Sequence, residues 1–138
     1  MATFAGSDQL AAFADGLDIV VSVLPLTPET TGIMNAGFFG MLADGAFIIN
    51  GGRGPQVDDD DLLAALDSGK LGGAALDVFA VEPLPQDHPF WTHPKVRVWP
   101  HVAAQTNATS AAEQVAAAIT AMMDGSEPAN RVDWSRGY

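Results

Sequence analysis

Asp18-Ile19-Val20-Val21-Ser22-Val23-Leu24, halted by Pro25, is the stretch that decides the fold. A β-branched run with almost no polar alternation predicts a strand buried on both faces, the habit of strands in parallel sheets. Upstream, Leu10, Phe13, Ala14 and Leu17 recur at helical spacing behind Ser7 as an N-cap, which predicts a helix over 8–15. Downstream, a loop over 25–32 leads to a short helix over 36–42 capped by Asn35. A second buried strand follows, Ala46-Phe47-Ile48-Ile49-Asn50, breaking at Gly51-Gly52 into a loop over 51–56. Asp58 to Asp61 then load negative charge onto the first turn of a helix, which suits its dipole, and Leu62, Leu63 and Leu66 form its apolar face before Gly69 ends it. Gly73-Ala74-Ala75-Leu76-Asp77-Val78-Phe79 reads as a third strand. After a proline-rich connection over 82–94, Val96-Arg97-Val98-Trp99 reads as a fourth, closed by Pro100. The last helix, over 109–123, puts Val115, Ile119, Met122 and Met123 on one stripe and stops at Gly125, leaving 131–138 as an irregular tail. Strands alternating with helices imply right-handed crossovers, so the expected fold is α/β: an open parallel sheet of about four strands with helices on both faces. No internal repeat or low-complexity linker interrupts it.

Composition narrows the function. The chain has 138 residues, 48% of them hydrophobic and 17% charged, enough apolar material for one packed domain or part of one. Six Lys and Arg against seventeen Asp and Glu leave a net charge of −11, which phosphate backbones and anionic lipid repel, so neither a nucleic-acid nor a membrane-surface partner is expected. The absence of cysteine excludes disulfides, Cys-ligated metal and a thiol nucleophile, and goes with a cytoplasmic location. The longest apolar stretches fall far short of a membrane span, and Met1-Ala2-Thr3-Phe4 has no basic leader, so no targeting signal is read.

Ligands of open α/β sheets sit beyond the carboxyl ends of the strands. That rule selects Arg53 after the second strand, Asp77 and Glu82 at or after the third, and His101 after the fourth. A cationic fork, two carboxylates and an imidazole on one edge point to binding of a small 2-keto or 2-hydroxy acid with proton transfer, since Arg holds a carboxylate by two parallel hydrogen bonds. Each residue also has a plainer reading: Arg53 and Glu82 as solvated loop charges, His101 as a satisfied structural histidine. Their shared edge is what favours function. His88 and His93, with Asp87, lack a ligand spacing, and no metal is assigned. Gly51-Gly52-Arg53-Gly54 has neither the G-x-G-x-x-G spacing nor a P-loop lysine, and reads as a loop that lets backbone approach a ligand.

Leu24-Pro25-Leu26-Thr27-Pro28-Glu29-Thr30, Asn50-Gly51-Gly52-Arg53-Gly54, Leu76-Asp77-Val78-Phe79 with Glu82-Pro83-Leu84-Pro85, and Pro100-His101-Val102-Ala103-Ala104 resemble, in that order, the D-isomer-specific 2-hydroxyacid dehydrogenases. The paired alanines after His101 and the closing Arg136-Gly137-Tyr138 look most like the glyoxylate/hydroxypyruvate reductase A subgroup. The resemblance implies a partial Rossmann-like domain and hydride transfer between NAD or NADP and a small 2-keto acid. Arg53 would bind the substrate carboxylate and polarise its carbonyl, His101 would give the carbonyl oxygen a proton, and Glu82 would pair with His101, a neighbouring carboxylate favouring the imidazolium. Pro25, Leu26 and Thr30 would lie along the cofactor, the Gly51 and Gly52 backbone would face the nicotinamide, and Asp77 would lie by its carboxamide. Residues 1–125 would be the C-terminal part of the cofactor-binding domain, with 107–125 its terminal helix and 126–138 a tail.

Two departures follow from the same resemblance. Gly51-Gly52 stands where many relatives carry a bulkier residue and an alanine, which predicts a loosened loop and a misplaced Arg53. The N-terminal substrate-domain segment and the glycine fingerprint are not in the chain, so the isolated chain is expected to be inactive, with a bare strand edge at 19–24 that invites self-association or a companion polypeptide. The alternative function is a catalytically idle Rossmann fragment serving as a scaffold or binding module.

Overall fold

The computed structural model describes residues 2–134. Along them run a 3-10 turn at Ser7–Gln9, α1 (Leu10–Ala14), β1 (Ile19–Ser22), α2 (Ala36–Met41), β2 (Ala46–Asn50), a 3-10 turn at Gly54–Gln56, α3 (Asp59–Asp67), β3 (Leu71–Leu76), a 3-10 turn at Pro89–Trp91, β4 (Val96–Val98) and α4 (Ala108–Met123). The chain divides into two compact units, Met1–Ala103 and Ala104–Tyr138.

In the first unit the four strands form one parallel sheet in the order β1-β2-β3-β4. The α/β architecture is the expected one, and each strand lies beside its sequence neighbour. The caps explain the helix starts. Asn35 accepts from the Phe38 amide at 3.2 Å and Asp58 from the Asp61 amide at 3.0 Å, which satisfies donors that the first turns of α2 and α3 leave unpaired. Gly69, at φ 82°, turns the chain out of α3.

The core lies on one side of the sheet. Val20, Ile48, Ala74, Leu76 and Val96 meet Phe38 and Phe39 of α2 and Leu62 and Leu66 of α3 in a single buried cluster that also takes in Ala14 of α1. Here the structure corrects the expectation of strands buried on both faces between two helical layers. Burial alternates along β1 and β2, and Ile19, Val21, Phe47 and Ile49 are 58, 59, 51 and 39% exposed. The apolar run predicted two covered faces because both faces are hydrophobic, but the helices of this unit share one core and cover one face.

Other boundaries move by local chemistry. The first helix splits into a 3-10 turn and five α residues. The third strand begins at Leu71 and ends at Leu76, so Asp77, Val78 and Phe79 already belong to the following loop, and the fourth ends at Val98.

In the second unit, α4 starts one residue before the expected position. Its cap is Asn107, which accepts from the amides of Thr109 at 3.0 Å and Ser110 at 3.1 Å. The helix buries none of its residues, and 131–134 form no helix or strand. Arg136, Gly137 and Tyr138, which the sequence comparison invoked, lie outside the described residues. Among the described residues, no helix is long and apolar enough to cross a membrane.

Candidate active site

Parallel pairing puts the four strand ends in one row: Ser22 pairs with Asn50, Asn50 with Leu76, and Leu76 with Val98. The ladder runs one residue further, with the amides of Gly51, Asp77 and Trp99 donating to the carbonyls of Ser22, Asn50 and Leu76 at 2.9, 3.0 and 2.9 Å. Every loop that follows therefore leaves from the same edge, and Arg53, Asp77, Glu82 and His101 are carried there together.

The His101 imidazole and the Glu82 carboxylate are joined, Nδ1 to Oε2, at 2.8 Å. Glu82 is itself seated, its Oε1 accepting from the Phe79 amide at 2.9 Å. The hydrogen bond from His101, the Phe79 amide and the charges of His101 and Arg53 hold the Glu82 carboxyl below its ordinary 4.5. With Nδ1 facing a carboxylate, the proton on that nitrogen is the donated one, and Nε2 is left for a reacting group.

Backbone geometry at His101 is unusual. Its φ is 56°, in the left-handed region that an L residue enters at a cost of about 1–2 kcal/mol. Asp77 compensates. Its carboxylate is buried and accepts from the amides of Val102 at 2.8 Å and Ala103 at 3.0 Å, clamping the chain immediately after the strained residue. Strain held in place at an exposed imidazole is a mark of function more than of packing.

Arg53 is exposed, and its Nη1 donates to the Gly52 carbonyl at 2.7 Å, which leaves the guanidinium most of its donors for a ligand. Asn50, at the end of β2, shapes the loop: its Oδ1 accepts from the Gly52 amide at 3.0 Å and its Nδ2 donates to the Arg53 carbonyl at 3.1 Å. A hollow of about 410 Å³, walled by Phe79, Leu84, Trp91 and Val98, also has Glu82 and His101 in its lining.

Residues 2–103 match the family described as D-isomer specific 2-hydroxyacid dehydrogenase, NAD binding domain. The chain belongs to that family. It is 52% identical to glyoxylate/hydroxypyruvate reductase A of Serratia proteamaculans (strain 568) over 136 residues, 99% of this chain and 44% of the relative. It thus spans about half the length of the curated relatives it matches. Among solved structures it resembles a D-isomer specific 2-hydroxyacid dehydrogenase from Xanthobacter autotrophicus Py2 in complex with NADPH and MES, at a TM-score of 0.94 and 47% identity, covering 98% of this chain and 56% of that one. It also resembles an NADPH-dependent glyoxylate/hydroxypyruvate reductase from Sinorhizobium meliloti in complex with NADP and sulfate, at a TM-score of 0.91 and 40% identity, covering 97% of this chain and 44% of that one.

In this dehydrogenase domain the segment expected along the cofactor is tied mainly to itself. The Thr30 hydroxyl donates to the Pro25 carbonyl and accepts from the Thr27 amide, both at 2.8 Å, so it shapes the turn, while Pro25 and Leu26 are exposed. Gly51 has space beside it: an added Cβ would find nothing nearer than 3.9 Å. Gly52 does not. A Cβ there would lie 2.9 Å from the Leu24 carbonyl oxygen and 2.5 Å from Gln56 Oε1, so glycine serves close packing at this point, and the expectation that it loosens the loop is corrected. Gly54 is tighter still, its missing Cβ falling 1.8 Å from the Phe79 carbonyl carbon. The Arg53 loop therefore rests directly on the loop that carries Glu82.

His88 and His93 pair with opposite ends of α3, Nε2 of His88 with Asp59 at 3.5 Å and Nε2 of His93 with Asp67 at 3.2 Å. Burial raises the Asp59 carboxyl above its ordinary value, and His88 offsets part of that rise. Among the described residues no group of three or more His, Cys, Asp or Glu could hold a metal ion.

Sequence reasoning missed Gln56 and gave Asn50 no role. Both are buried, at 0 and 1% exposure, and both bond the Arg53 backbone. Asn50 carries a signal in hindsight, as a polar residue closing an apolar strand. Gln56, inside a turn, carries none.

Proposed function

We propose that this chain is part of an NAD(P)-dependent 2-hydroxyacid dehydrogenase that reduces a small 2-keto acid of the glyoxylate or hydroxypyruvate class. The observation that carries the reading is the 2.8 Å His101–Glu82 pair on the same strand-end edge as Arg53, within a domain of this family. The edge fits a nicotinamide cofactor: Gly51 offers bare backbone, and Val23, Leu24, Leu26 and Val102 are exposed apolar side chains on the loops around it, suited to the face of a flat ring. Pro25, Leu26, Thr30, Gly51, Gly52 and Asp77 would hold it, Asp77 having lone pairs to spare beyond the two amides it binds. The reduced nicotinamide, when bound, supplies the hydride.

The chain's own groups supply the rest. Arg53 takes the substrate carboxylate through parallel N–H donors and draws electron density from the adjacent carbonyl. Nε2 of His101 delivers its proton to the carbonyl oxygen, while Glu82 fixes the ring through Nδ1 and stabilises its protonated form. In the reverse direction neutral Nε2 accepts the hydroxyl proton.

Residues 1–125 are the cofactor-binding part in this reading, with 107–125 its terminal helix and 126–138 a tail. A cytoplasmic setting goes with it. The apolar β1 stands at one edge of the described sheet, and a second copy or a further polypeptide pairs along it; sedimentation giving a clean monomer at micromolar concentration would count against that. No feature of the site favours the scaffold alternative.

The test is NADH and NADPH oxidation with glyoxylate and hydroxypyruvate, run on this chain and on a chimera in which it replaces the matching part of the Serratia reductase. Turnover by the chimera is expected, with Arg53→Lys lowering it about a hundredfold because Lys cannot reproduce the planar fork. A folded chimera without turnover overturns the reading, and an unchanged rate in Arg53→Lys removes Arg53 from the site.

A further inference from the structure

Gln56 makes four hydrogen bonds from a fully buried amide. Its Oε1 accepts from the Ser22 hydroxyl at 3.1 Å and the Arg53 backbone amide at 3.2 Å; its Nε2 donates to the carbonyls of Leu24 at 2.9 Å and Pro25 at 3.0 Å. That is the full donor complement of a side-chain amide and both of its acceptor sites. Three of the four partners belong to the end of β1 and the turn that leaves it, and the fourth is the residue whose guanidinium points to carboxylate binding. Backbone joins the two loops at the Gly51 to Ser22 bond and again further along, where the amides of Gly32 and Met34 donate to the carbonyls of Pro55 and Gln56, each at 2.9 Å; between those points the Gln56 side chain ties Arg53 to Leu24 and Pro25.

We propose that Gln56 is the positioning residue of this site: its amide locks the Arg53 loop to the turn beginning at Leu24 and Pro25, and glycine at 52 is what makes room for it. The proposal deepens the dehydrogenase reading, on which the roles of Arg53 and of the Pro25 segment rest. Gly52 and Gln56 act as a pair. A methyl at 52 would sit 2.5 Å from Oε1 and 2.9 Å from the Leu24 oxygen, so an alanine must push out the amide or the backbone it binds. The same side chain touches the substrate side through Arg53 and the cofactor side through Leu24 and Pro25. Disturbing it moves both together.

The test is amide hydrogen exchange by NMR on this chain, comparing wild type with Gln56→Met, which keeps the volume and removes all four bonds, and with Gln56→Glu. In wild type the Gln56 Nε2 protons and the Arg53 amide exchange slowly. In Gln56→Met the Arg53 amide exchanges at least about tenfold faster relative to the strand amides of Ile48 and Ala74, which report only global stability. Gln56→Glu sets a carboxylate against two carbonyl oxygens at neutral pH. As the pH falls from about 8 to about 5.5, the buried carboxyl takes up a proton, donates again to Leu24 or Pro25, and restores protection at Arg53. A general packing role would show no such recovery.

Arg53 protection within twofold of wild type in Gln56→Met, or no pH-dependent recovery in Gln56→Glu, overturns the proposal. Should both variants fail to fold, the wild-type protein decides: Nε2 protons exchanging at solvent rates overturn it and slow ones uphold it. In the chimera, Gln56→Met is expected to raise the KM for glyoxylate at least about tenfold. A chimera without turnover removes the dehydrogenase reading and leaves the exchange result standing by itself.

Discussion

Replacing Gly54 with alanine puts a methyl carbon where the backbone already is. The added Cβ would lie 1.8 Å from the Phe79 carbonyl carbon, 2.0 Å from its oxygen and 2.3 Å from the Ala80 nitrogen, all backbone atoms with no rotamer to escape into. Reaching an ordinary contact near 3.4 Å means parting the Arg53 loop from the Glu82 loop by roughly 1.6 Å. Overpacking of a tight site costs about 1–3 kcal/mol, and a clash with backbone on both sides belongs at the upper end. For a domain of this size about 3 kcal/mol corresponds to a fall in Tm of roughly 10 °C. A displacement above 1 Å also costs about a hundredfold in turnover in the chimera. Gly40→Ala in α2 is the matched control, because nothing lies within 4 Å of its added Cβ. Helix propensity makes that change neutral or stabilising by about 0.5–1 kcal/mol. Thermal unfolding followed by circular dichroism reads both. A Gly54→Ala chain melting within about 2 °C of wild type, or no lower than Gly40→Ala, would refute the claim that the two loops rest on each other through this glycine.

Asp77→Asn leaves one of the Val102 and Ala103 amides facing an NH2 instead of an oxygen, so urea titration should show a loss of about 2 kcal/mol at constant m, and a loss below about 0.5 would mean the clamp is not needed. Because His101 sits at φ 56°, His101→Gly should be more stable than His101→Ala by about 1 kcal/mol although both remove the imidazole, and equal stabilities would deny the strain. The Glu82 carboxyl titrates below its ordinary 4.5 through its bonds to His101 and the Phe79 amide, so its contribution to stability is fully present above pH 4.5 and lost as the pH falls through the folded value. The stability advantage of wild type over Glu82→Gln should shrink across that acid range. An advantage independent of pH would mean that the charge is not what Glu82 contributes.

The catalytic candidates were legible in the sequence because topology places them. Once four apolar runs are recognised as parallel strands, the residues just past Asn50, Leu76 and Val98 must share an edge, and Arg53, Asp77, Glu82 and His101 are found there. What was misread has one cause. Hydrophobicity along β1 and β2 tells which residues can be buried but not which face the helices take, and so Ile19, Val21, Phe47 and Ile49 were expected inside. Gly52 was misread likewise, since a glycine in a loop signals freedom until its neighbours in space are known.

From the sequence alone came the strand and helix types, the cap at Asn35, the family resemblance and the set of candidate site groups, all of which depend on local periodicity or on residue identity. Tertiary structure alone decided that Asp77 clamps the chain after His101, that Gly54 lies against Phe79, and that Gln56 joins Arg53 to Leu24 and Pro25. Those contacts join loops 25 to 32 residues apart in the chain, and only the folded sheet, by bringing its strand ends into one row, sets the distances between them.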